Sequence, residues 1–73
     1  MRTYLILYNN NRIWAIEPVS GEYFMNPYDV SPLNELTTGE LYYAIVKATT
    51  ANEALLKGSE YLKIIIKNRY ANP

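Results

Sequence analysis

Hydrophobic and polar positions change rhythm along this chain, from a period of two in its first half to the 3.6-residue helical period toward its C-terminus, and that change predicts the elements. Thr3–Tyr8 is a run of β-branched, aromatic and aliphatic residues, followed by Asn9-Asn10-Asn11, which tolerate positive φ. Arg12–Glu17 resumes an alternation in which Ile13 and Ala15 share one face and Trp14 and Ile16 the other. The pattern is a β-hairpin, ended near Glu17 by Pro18, which has no N–H for the ladder. Ser20-Gly21 then supplies a turn, so that Glu22–Met25 reads as a short third strand pairing back on the second. Beyond Asn26-Pro27, Ser31 as N-cap, Pro32 at the first helical position and Leu33 with Leu36 predict a turn or two of helix ended by Gly39.

The strongest strand is Leu41–Thr49, with Tyr42, Ala44, Val46 and Ala48 on one side and Leu41, Tyr43, Ile45 and Lys47 on the other. Thr50-Ala51-Asn52-Glu53 is a capping box and opens a helix that reaches about Arg69. At about 100° per residue, Ala51, Ala54, Leu55, Gly58, Tyr61, Leu62, Ile65 and Ile66 fall in one arc that should cover the sheet. Small residues in that arc allow close approach, opposite Ala44 and Ala48.

Thr3–Tyr8 and Leu41–Thr49 are apolar on both faces, which predicts that they lie centrally and side by side, since edge strands keep a wet polar side. The expected fold is α+β: a single small domain over residues 1–73 with an antiparallel sheet of three to four strands and one C-terminal helix packed on one face. Its element order would be β-β-(β)-short α-β-α and its strand order 4-1-2-3. One helix covers one face only, so either Tyr4, Ile6 and Tyr8 or Leu5 and Leu7 must face away from it.

Composition narrows the chemistry. A 49% hydrophobic content with eight Tyr, one Trp and one Phe belongs to a folded chain. With no Cys and no His, disulfides, the nitrogen and sulfur ligands of zinc, copper or iron, a His base and a Cys nucleophile are all excluded. Gly21, Gly39 and Gly58 are too far apart for a phosphate-cradling loop, and the carboxylates show no paired spacing. The expectation is therefore a non-enzyme without cofactor or metal. No stretch approaches the roughly 20 apolar residues of a membrane span, and no cleavage pattern follows the N-terminal run. A cytoplasmic protein without a membrane partner is expected. The abundance of Asn, Tyr, Ile and Lys, whose codons are AT-rich, fits a low-GC bacterium or its phage.

Charge is polarised: residues 1–41 carry two bases and five acids, residues 42–73 five bases and two acids. Such halves attract each other across a two-fold pair. Leu56 and Ile64 flank Glu60 on the helix but lie outside its apolar arc, which predicts that this side touches a second copy or another protein. Tyr4, Tyr8, Trp14, Tyr23 and Tyr43 on the expected strands offer flat apolar area with polar tips, the stock of protein interfaces. The resulting expectation is a small non-catalytic protein-binding, inhibitory or regulatory module that acts by surface occlusion and forms a homodimer. The alternative is binding of nucleic acid or a nucleotide, with the tyrosines as stacking platform and Lys63, Lys67 and Arg69 as the basic end. Residues 42–62, YYAIVKATTANEALLKGSEYL, resemble the strand-to-helix segment of HicB-like antitoxin domains and, more loosely, that of AP2-type DNA-binding domains. That resemblance covers under a third of the chain, and the acidic Pro-Gly loop that precedes the segment in HicB-like proteins is missing, so it assigns no family.

Overall fold

Strand β1 (Arg2–Asn9) turns into β2 (Arg12–Val19) through Asn10 and Asn11, both at positive φ (52° and 62°), the mirror-image two-residue turn whose twist matches a hairpin. The structure is a computed structural model describing residues 1–34 and 38–71, with side chains up to residue 68. The chain continues through β3 (Val30–Asn34) and β4 (Leu41–Ala48) into one helix, α1 (Ala51–Ala71). The four strands form one antiparallel sheet in the order β2-β1-β4-β3, with α1 packed on one face. The α+β class, the central pairing of β1 with β4 and the C-terminal helix are as the pattern predicts.

The third strand is not. Glu22–Met25 is irregular, and the segment expected to be a helical turn from Ser31 is instead β3, on the far side of β4. The order is therefore β2-β1-β4-β3 and not 4-1-2-3. A local device redirects the chain: the Asn26 side-chain oxygen accepts from the N–H groups of Tyr28 (2.9 Å) and Val30 (3.2 Å), and Asp29 takes φ 61°. That places Val30, with no exposed surface, in the core beside Val46. Burying Val30 outweighs the weak N-cap signal of Ser31. Leu36, the other anchor of the expected helical turn, lies outside the described residues.

Both edge strands contain proline, and the ladder explains why it is tolerated. The Lys47 N–H donates to the Asp29 carbonyl at 3.1 Å, so odd-numbered residues of β4 bond toward β3 and even-numbered ones toward β1. Carried across the register, this turns the backbone nitrogens of Pro18 in β2 and Pro32 in β3 outward, where no ladder bond is lost. For this reason β2 continues past Pro18 to Val19.

Two bulges break strict alternation. Tyr8 pairs with Ile13 but Leu7 with Ala15, leaving Trp14 as the extra residue, so both Ile13 and Ile16 pack against the core. Likewise Leu33 pairs with Tyr43 and Asn34 with Leu41, which turns Leu41 into the core and leaves Tyr42 exposed. The core lies under α1: Tyr4, Ile6 and Tyr8 of β1 and Ala44, Val46 and Ala48 of β4 meet Ala54, Tyr61 and Leu62. At the helix start, the Glu53 N–H donates to Thr50 Oγ1 at 3.1 Å, half of the expected capping box. The Glu53 carboxylate takes the Thr49 hydroxyl instead, and that bond, with Lys57 nearby, holds its carboxyl below the usual range.

At Gly58 the helix backbone lies close on the sheet, so that an added Cβ would stand 2.5 Å from Ile6 Cδ1. The Tyr8 hydroxyl donates to the Gly58 carbonyl at 2.9 Å inside the core. Burial, and then the neighbouring Tyr61, push the Tyr8 phenol well above its ordinary pKa. The folded state thus favours the protonated phenol, so this contribution to stability is complete below about pH 10, the unfolded value, and is lost as pH rises beyond it. Urea unfolding at about pH 9 and about pH 11 should show wild type losing more stability between them than Tyr8→Phe does. Equal losses would mean that Tyr8 does not carry the alkaline transition.

Candidate protein-binding surfaces

Because α1 covers the face built from Tyr4, Ile6 and Tyr8, the alternate residues of each strand make the other face. The register sets them in rows. Leu7 lies between Ala15 and Tyr43, with Leu33 beyond; Leu5 lies between Glu17 and Ile45, with Ser31 beyond; Thr3 lies between Val19 and Lys47. Ile45, at the middle, is only 6% exposed and yet stands outside the core cluster under the helix. Among the described residues no helix or strand packs on it. Trp14, 65% exposed in its bulge, stands on edge strand β2 beside these rows.

A second apolar surface lies on the helix side. Tyr28 packs on Tyr61 with ring centroids 5.9 Å apart, and together with Leu56, Glu60 and Ile64 they line a shallow groove. Lys57 fixes one wall: its ammonium donates to the Lys47 carbonyl at 2.8 Å and pairs with Asp29 and Glu53, each at 3.4 Å. At roughly 230 Å³ the groove falls below the range of small-molecule pockets, about 300–1,000 Å³. Burial raises the Tyr61 phenol pKa, opposed in part by its hydrogen bond with Asn26.

The residues singled out from sequence divide accordingly. Leu56, Glu60 and Ile64 do come together, and the structure adds Tyr28, which the pattern did not single out and which arrives through the Asn26 turn. Tyr43 is on the open sheet face. Tyr4 and Tyr8 are not available to a partner: at 6% and 5% exposure they fill the core, because the small residues Ala54 and Gly58 leave room for their rings beneath the helix. Lys63 and Lys67 are exposed on α1, across the sheet from Tyr43, so the basic helix end and the aromatic sheet face do not form one surface. The side chain of Arg69 lies outside the described residues.

Among the described residues no three His, Cys, Asp or Glu gather as a metal site, and no helix is long and apolar enough to cross a membrane. Compared with known proteins, the chain matches no family model, no curated protein and no solved structure.

Proposed function

We propose that this chain is a non-catalytic protein-binding module, regulatory or inhibitory in effect, that works by covering surface on a protein partner. The observation that carries the reading is the apolar sheet face around Leu5, Leu7, Tyr43 and Ile45, which no described element packs against. A small domain gains by burying such a face, and protein is the occupant with matching flat apolar area. Binding by strand addition is disfavoured, because Pro18 and Pro32 remove outward N–H groups from the two edges. Contact through the face remains. The nucleic-acid reading has weaker support, since Lys63 and Lys67 stand on the helix layer, away from the rings that would stack bases.

The test compares wild type with Leu7→Lys, both immobilised and exposed to lysate and to free copies of the chain. Leu7 sits at the centre of a row on the uncovered face, so the substitution places a charge on the docking surface and leaves the core under α1 untouched. Wild type should retain a protein in stoichiometric amount, and Leu7→Lys should lose it. If both retained the same proteins, or neither retained any, the sheet face would not be a protein-binding surface.

A further inference from the structure

We infer that the occupant of the open sheet face is a second copy of this chain, packed face to face so that two sheets lie inside and the two helices outside. The inference rests on the protein-contact reading and names its partner. Two features of the face carry it, and a third sets its strength. First, its charges are complementary under two-fold symmetry. Glu17 and Lys47 stand on strands that flank β1 on opposite sides, two residues apart along it. A two-fold axis along β1, between sheets about 10 Å apart, sets β2 of one copy over β4 of the other. Each Glu17 is then within side-chain reach of the other copy's Lys47, and the pair forms twice.

Second, the same operation matches shape. In the row of Leu7, the strands on either side present Ala15 and Tyr43, so the large ring of one copy faces the small methyl of the other. Leu7 meets its own symmetry mate. Third, the area bounds the strength. With the axis along β1, strands β2, β1 and β4 of the two copies overlap and each β3 projects beyond the other sheet, so three strands about 4.8 Å apart and about seven residues long project about 330 Å². That is little more than half of the about 600 Å² per partner at the lower end of specific interfaces. The expected association is therefore weak, toward the upper micromolar range, and the groove lined by Tyr28, Leu56 and Ile64 stays open on the outside of each copy.

Sedimentation equilibrium from about 10 μM to about 1 mM tests this, with circular dichroism to confirm folding of each variant. The mass of wild type should rise from the 8.5 kDa of one chain toward twice that value. Leu7→Lys should weaken association by at least about tenfold. Glu17→Lys alone should do the same, and Glu17→Lys combined with Lys47→Glu should return to within about threefold of wild type. The charge-swap series keeps the test decisive if Leu7→Lys does not fold. A wild type that stays at one chain's mass throughout would overturn the inference, as would a dimer indifferent to these changes but dissolved by Leu56→Glu with Ile64→Glu. The first result leaves the protein-contact reading standing if lysate capture is still lost in Leu7→Lys, whereas failure of both assays removes that reading as well.

Discussion

Ile6→Ala is expected to remove about 4 kcal/mol of folding stability, toward the upper end for truncating a buried isoleucine. Ile6 has no exposed surface, lies on a central strand, and is pressed by Gly58 from above and by Ile16 and Ala44 on either side. A site walled by a helix backbone and two paired strands cannot collapse around the missing atoms, so the cavity persists. For a chain of this length total stability is of the order of 4–11 kcal/mol, so the variant should keep at most about 7 kcal/mol and, at the low end of that range, be unfolded near room temperature. Chemical denaturation of wild type and variant measures the difference; a loss under about 1.5 kcal/mol would show that the helix settles onto the sheet more freely than this packing implies.

Gly58→Leu is expected to be the second most damaging change, at about 2–3 kcal/mol net. A Cβ at Gly58 would stand 2.5 Å from Ile6 Cδ1 and 3.0 Å from the Tyr8 hydroxyl, and leucine adds three more carbons against them. Lifting the helix to make room would also stretch the Tyr8–Gly58 hydrogen bond. Overpacking of this kind exceeds the gain of about 1 kcal/mol from replacing a helical glycine. The mechanism has a sharper signature in Gly58→Ala. Ile6→Val removes Cδ1, the atom in the way, so Gly58→Ala should be destabilising in wild type and neutral or stabilising beside Ile6→Val. A coupling of about 1 kcal/mol or more in that double-mutant cycle is the expected result, and additivity would refute the contact.

Much of this arrangement is legible in the order of residues. Thr50 and Glu53 mark the start of α1, and its apolar arc contains the residues that reach the core, because a helix turns a fixed angle per residue. Ala51, at the first position of that arc, is exposed. The hairpin at Asn10-Asn11 and the central places of β1 and β4 follow from equally local rules. The groove around Leu56, Glu60 and Ile64 is visible as an irregularity of helical period.

What periodicity could not supply is where alternation breaks and where distant segments meet. A period of two puts Ile13 and Ile16 on opposite faces; the bulge at Trp14 turns both to the core, a gain in burial that exists only once β1 is alongside. The same holds for Leu41, and with it for the exposure of Tyr42. Ser31-Pro32 carries a local helix-start signal worth a fraction of what burying Val30 beside Val46 returns, so the tertiary contact overrides it and β3 forms on the edge of β4. Which face of β1 would be covered was open in the sequence, since Tyr4, Ile6 and Tyr8 are as apolar as Leu5 and Leu7. The choice falls to Gly58: only a position without a side chain lets the helix backbone approach Ile6 and accept the Tyr8 hydroxyl, and the opposite face, with Leu7, Tyr43 and the charges of Glu17 and Lys47, is left without a described helix or strand packed on it.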